Sequence, residues 1–218
     1  VAKESNNWTI TNSLDDNAMT VTKTWDETAN VDKGVAEYIA SVRPDMTFTL
    51  TNTDWAQLKE TVDMDGAPVI GEAANTYKVE FERNMPKSAA YDLAETMTNG
   101  DGFSYTETIT PVYDETTGIV TGFTVVNKLD TMDVTVEKSW LDNDIAGLVH
   151  PNATFELYYV NNAGEEVVVK TVSGSTKGDT YEFIGVPART DYIVREVEMN
   201  GFTVVENDQE VVNGAAAI

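Results

Sequence analysis

The chain has 218 residues, 37 of them acidic against 14 basic, a formal net charge of −23, and no cysteine. That charge excludes nucleic acid and anionic lipid surfaces as partners, and a disulfide framework is excluded with the cysteines. Hydrophobic content of 41% with 9% aromatics is enough for two small cores, while no apolar run approaches the roughly 20 residues that span a bilayer. The first residues, Val1-Ala-Lys-Glu, carry neither an initiator Met nor a signal-peptide pattern, so a processed portion of a longer exported precursor is expected.

In chain order, period-two alternation rich in Thr, Val, Tyr and Phe predicts strands over 8–13, 19–25, 46–51, 77–82 and 105–112. The same pattern continues over 122–127, 133–140, 154–160, 165–172, 181–184, 192–197 and 202–205. Turn signals punctuate these runs at Asp65-Gly66, Asn99-Gly100, Asp101-Gly102, Asn200-Gly201 and Asn213-Gly214. Two stretches, 34–42 and 86–97, have helix-forming composition instead, and Pro86 suits a first helical turn.

The segment Trp8-Thr-Ile-Thr-Asn12-Ser-Leu14 returns as Phe123-Thr-Val-Val-Asn127-Lys-Leu129. Behind each copy comes a Lys and a Trp: Lys23 and Trp25, then Lys138 and Trp140. All three pairs are separated by 115 positions. An ungapped repeat of this kind means tandem domains. The expected division is 1–14 as the last strand of a preceding or neighbouring-chain domain, 15–129 as a first domain, and 130–218 as a second that lacks its own last strand. The fold class is all-β, with tandem immunoglobulin-like sandwiches and short helical insertions in the first. The joints, 15–18 and 130–132, are short and lack Gly/Ser runs, which favours a stiff array.

Several motifs together resemble the B-type (CnaB-like) domains of Gram-positive collagen adhesins and sortase-assembled pilins. In the first domain they are Val21-Thr-Lys-Thr-Trp25, Arg43-Pro-Asp-Met-Thr-Phe-Thr-Leu-Thr51 and Phe123 to Leu129. In the second they are Val134-Thr-Val-Glu-Lys-Ser-Trp140, His150 to Tyr158, Tyr181-Glu-Phe-Ile-Gly-Val-Pro187 and Tyr192-Ile-Val-Arg-Glu196. The resemblance implies a spontaneous isopeptide bond between a Lys on the first strand and an Asn on the last, promoted by a Glu between them. Carried over by position, the first-domain residues are Lys23, Glu107 and Asn127. Phe103 to Glu107 and Tyr192 to Glu196 both set an aromatic four residues before the acid, a spacing that shares one face of a strand.

The residue types suit that chemistry. An amine attacks a carboxamide only when unprotonated, and burial disfavours the charged forms of both Lys and Glu. A neutral acid then hydrogen-bonds the Asn carbonyl and relays protons, while neighbouring strands hold amine and amide together. Ammonia leaves, once per domain, so the chain is expected to be no enzyme in the turnover sense.

In the second domain Lys138 and Glu196 are present without a matching aromatic-x-x-x-Asn-x-Leu strand. Asn213 is a weak candidate, since Gln209 stands where the aromatic belongs and Gly214 signals a turn. Either the sequence is a window on a longer array, or Asn12 of one copy bonds Lys138 of the next in a head-to-tail fibre. The resemblance implies an extracellular location on the surface or wall of a Gram-positive bacterium. The alternative to a fibre shaft is the stalk or binding region of an adhesin recognising host or matrix glycoprotein, with 27–42 and 83–102 as its binding face. No cofactor is expected. His150 beside Pro151, the calcium-like stretches at Asp63-x-Asp65-Gly66 and Asp142-Asn-Asp144, and the sequons at Asn7 and Asn152 read as ordinary turns and surface.

Overall fold

The computed structural model describes residues 11–64, 75–141, 148–174, 179–197, 202–204 and 208–217. The elements are β1 (Asp16–Asn17), β2 (Thr20–Asp26), α1 (Val35–Ser41), β3 (Asp45–Asn52), β4 (Lys59–Asp63), β5 (Thr76–Glu80), β6 (Met85–Pro86), β7 (Tyr91–Thr98), β8 (Tyr105–Tyr113) and β9 (Val120–Leu129). They continue with β10 (Thr131–Glu137), β11 (Thr154–Val160), β12 (Glu166–Ser173), β13 (Thr180–Pro187), β14 (Ile193–Glu196), β15 (Gln209–Glu210) and β16 (Ala215–Ala217). The N-terminal sheets run β5-β2-β9-β8 and β4-β3-β7, with β1 and β6 as a separate pair; the C-terminal sheets run β13-β10-β16 and β12-β11-β14-β15. The architecture is all-β, as the alternation requires.

Period two sets what each strand buries. On β2 the inward positions are Val21, Lys23 and Trp25; on β3 they are Met46, Phe48, Leu50 and Asn52. On β9 they include Phe123, Val125, Asn127 and Leu129. A Cβ on Gly122 would meet the Thr20 carbonyl oxygen at 2.5 Å, so β9 approaches β2 through a position that only glycine allows.

The chain forms two compact units that do not follow the repeat boundaries. The first takes Val1–Lys23, Thr47–Thr96 and Ile109–Val125; the second takes Thr24–Met46, Met97–Thr108 and Val126–Ile218. The second unit has one core in which Val35 and Ile39 of α1 and Leu129 join Val134, Phe155, Leu157, Tyr159, Phe183 and Tyr192. Val35 and Ile39 are one helical turn apart and face the same way. Polar contacts fasten the same segments. Asn30 bonds the carbonyls of Ile184 and Gly185, and the Asp32 amide donates to Val169 O at 2.9 Å. The Asp101 carboxylate accepts from the hydroxyls of Tyr38 and Tyr159 and from the Asn162 amide. The Arg189 guanidinium donates to the Asp101 carbonyl and forks onto Asp191, while stacking 3.6 Å from the Tyr159 ring centroid.

Three expectations change. Residues 86–97 are not helical: Tyr91, Leu93 and the Glu95 side chain point inward from strand β7, and packing of that face overrides helix-forming composition. Residues 11–13 and 202–204 are not in strands, and the rest of those two predicted strands lies outside the described residues. The turns at Asp65-Gly66 and Asn200-Gly201, the stretch Asp142 to Asp144 and the sequon at Asn7 also lie outside them. The predicted helix at 34–42 is present as α1.

Candidate functional site

Lys23 occupies a core position on β2, between Val21 and Trp25, and its side chain is fully buried. Its Nζ lies 2.6 Å from Oε1 of Glu95, whose side chain is also fully buried. Two ionisable groups removed from water need each other, since either alone would be an uncompensated buried charge. Asn127 is fully buried on β9, the strand hydrogen-bonded beside β2. Its side-chain amide donates to Sδ of Met97 at 3.2 Å. Glu95 and Met97 are two apart on β7, the spacing that places side chains on one face of a strand.

Aromatic and charged groups surround Trp25, which is fully buried. Tyr105 meets it edge-on with ring centroids 5.0 Å apart, and the Arg43 guanidinium lies 5.4 Å from its ring centroid. Arg43 forks onto Glu27 at 2.8 and 2.6 Å. Burial, reinforced by the neighbouring Glu27 carboxylate, pushes the Tyr105 hydroxyl well above the usual phenol range, so it stays protonated.

Glu107 is not among the buried groups around Lys23. It sits exposed on β8, the outer strand of its sheet, while Phe103, expected to share its inward face, is packed in the C-terminal core against Arg189. The carboxylate facing Lys23 is Glu95, and the sequence held a second signal for it. Pro86, Tyr91 and Glu95 repeat as Pro187, Tyr192 and Glu196, each 101 positions on. Both tyrosine hydroxyls donate back to the proline carbonyl, Tyr91 to Pro86 at 2.6 Å and Tyr192 to Pro187 at 2.8 Å. This is the corner geometry by which a tyrosine ties a sandwich strand to its preceding turn. The Pro-x4-Tyr-x3-Glu spacing singles out the Glu that pairs with a buried Lys, whereas an aromatic four residues before a Glu also fits Phe103 and Glu107.

In the second unit Lys138 Nζ lies 3.0 Å from Oε2 of Glu196, with 10% and 1% of their side chains exposed. The ammonium is 4.8 Å from the Trp140 ring centroid, Trp140 stacks on His150 at 4.4 Å, and Phe202 meets it edge-on. Asn213 is exposed, at φ 52° in the turn before β16, and is not brought to Lys138. β16 runs parallel to β10, pairing Thr135, Val136 and Glu137 with Ala215, Ala216 and Ala217. Asn12 is exposed and outside any strand.

Two B repeat units of the collagen-binding protein Cna of Staphylococcus aureus align with 93% of this chain at 18% identity and a TM-score of 0.37. The chain resembles these CnaB-type modules. It spans about half, 48%, of that two-repeat structure. A single B repeat unit of Cna aligns with 93% of this chain and 97% of its own length, at 18% identity and a TM-score of 0.29. The major pilin T-13 of Streptococcus pyogenes aligns with 92% of this chain and 94% of its own length, at 14% identity and a TM-score of 0.36. No protein-family model and no curated protein sequence matches the chain.

Proposed function

We propose that the chain is a structural module of an extracellular surface fibre or stalk, whose first sandwich is locked by an autocatalytic isopeptide bond between Lys23 and Asn127. Glu95 promotes the reaction. The observation that carries this reading is the fully buried Lys23–Glu95 pair, on the strand beside one that carries the fully buried Asn127. A lysine is an expensive occupant of a core position; the chemistry gives it a purpose. Proton transfer from Lys23 to Glu95 leaves a neutral amine and a neutral acid. The amine attacks the Asn127 carboxamide carbon, Glu95 hydrogen-bonds the developing oxyanion, and the proton returns to the departing nitrogen as ammonia. Water exclusion then protects the new amide from hydrolysis.

Copies of the chain join head to tail in this reading, and the surface of a Gram-positive cell is the setting implied by the motif resemblance. The adhesin alternative is weakened by one observation: within 27–42 and 83–102, expected to build a binding face, Val35, Ile39, Tyr38 and Asp101 are spent on the second unit's core and its hydrogen bonds. Intact mass after denaturation tests the proposal. The wild-type chain is expected to be lighter than its sequence by one ammonia from this site, and Lys23→Ala or Asn127→Ala to recover it. A wild-type chain at full sequence mass would remove the reading.

A further inference from the structure

We propose that Lys138 and Glu196 form an acceptor site for residues 8–14 of a second copy of this chain, with Asn12 as the residue that is bonded. The inference rests on the isopeptide reading above and extends it to a partner. Its first support is the repeat. Trp8 to Leu14 matches Phe123 to Leu129, and the latter lies on β9, which buries Asn127 beside β2. In the second sandwich, β10 takes the place of β2. One side of β10 is filled by β13 up to the Glu137–Thr180 pair, beyond which the Lys138 amide bonds Asp179 O at 2.8 Å. On its other side β16 accompanies only Thr135 to Glu137. Among the described residues, no strand stands beside 138–140 on that side, and a donor strand with Asn12 at Lys138 takes over the edge that β16 holds at Val136 and Glu137.

The surroundings match a seat for an apolar, extended segment. Lys138 keeps a tenth of its side chain exposed, whereas Lys23 keeps none. Leu141, three residues after Lys138, and Val149, next to the His150 that stacks on Trp140, are 85% exposed and Leu148 is 41% exposed, while Asn12 and Leu14 of the donor segment are themselves exposed. A strand carrying Trp8, Ile10, Asn12 and Leu14 at alternate positions would present three apolar groups and one amide to the same face. The step balances as in the first sandwich. Lys138 passes a proton to Glu196, its nitrogen forms the new C–N bond to the Asn12 carboxamide, and the former amide nitrogen leaves as ammonia. Start-to-end contacts of this kind do not close and so propagate.

The test uses full-length chains on denaturing electrophoresis with intact-mass readout. Wild type is expected to give a ladder of boiling-resistant multimers, lighter by one further ammonia per link, with Lys138 and Asn12 joined in the digested peptides. Lys138→Ala and Asn12→Ala are each expected to remain monomeric. Mixed together they should give a covalent dimer that stops at two, because one supplies only the strand and the other only the acceptor. Clean wild-type monomer, multimers that persist in Asn12→Ala, or Lys138 joined to Asn213 within one chain would overturn the proposal. The same spectra report the Lys23–Asn127 bond: its loss of ammonia present without multimers sinks only the partner, and its absence sinks the chemistry of both sites.

Discussion

Lysine, asparagine and glutamate are the least apolar occupants of their faces, and their positions decide the chemistry. Glu95→Ala is expected to leave the chain at full mass for the first site, because neither proton step has a carrier. Glu107→Ala, exposed on β8, is expected to keep the loss of ammonia. The reverse pattern by intact mass would restore the Phe103-based assignment. Glu95→Ala also strands an amine among Val21, Trp25 and their neighbours, so its stability should fall by about 3–5 kcal/mol as read from the urea midpoint. Lys23, Asn127 and Lys138 were legible because the repeat keeps the lysines in register with Trp25 and Trp140 and Asn127 in register with Asn12, and Glu196 because it follows Tyr192 by four positions. Glu95 was not. Its segment, Ala-Ala-Tyr-Asp-Leu-Ala-Glu, has the composition of a helix, which masks the repeat of Pro86, Tyr91 and Glu95 at Pro187, Tyr192 and Glu196.

Elements depend on a few positions where backbone or polar groups meet closely. Gly122→Ala drives a methyl into the Thr20 carbonyl, so β9 must retreat from β2. Slower or incomplete loss of ammonia in a time course, with a lowered melting temperature, is the expected outcome; wild-type kinetics would mean the approach is not required. In the second unit, Asp101→Ala removes the acceptor shared by the Tyr38 and Tyr159 hydroxyls and the Asn162 amide. Tyr159, the buried donor among them, left without an acceptor costs about 1–3 kcal/mol, which urea titration will resolve. The Arg189 hydrogen bonds hold the Asp191 carboxyl below its ordinary range, against the opposing effect of burial. Its stabilisation is therefore present above the unfolded carboxylate range and lost as pH falls through the lower folded value, so Asp191→Asn should flatten the acid limb of a stability profile. The long strands were readable from alternation, and α1 from its composition. Short elements such as β1, β6 and β15 carry too few residues for a period to show, and β16 is built of alanines with no strand preference.

For the whole molecule, a bond between Lys23 and Asn127 closes a loop of roughly a hundred residues, which by chain entropy alone stabilises by about 4.7 kcal/mol at 25 °C. Wild type is therefore expected to resist trypsin and heat well beyond Lys23→Ala, and equal half-lives under protease would contradict the proposed bond. The bounds of the two units do not show in the repeat because segments adjacent to β2 and β7 in the chain contribute their apolar side chains to a core built mainly from 126 onward. Asp130 is the single residue between β9 and β10, and it is held on both flanks: its amide bonds Ser104 O, its carbonyl accepts from Ala188, and its carboxylate accepts from Thr106. With Lys23 and Asn127 joined as proposed, tension entering through β2 crosses to β9 after one side-chain bridge and leaves through this residue. The turns between Thr24 and Val126 then lie off that path, and a pull on the two ends would not unfold them while the bond holds.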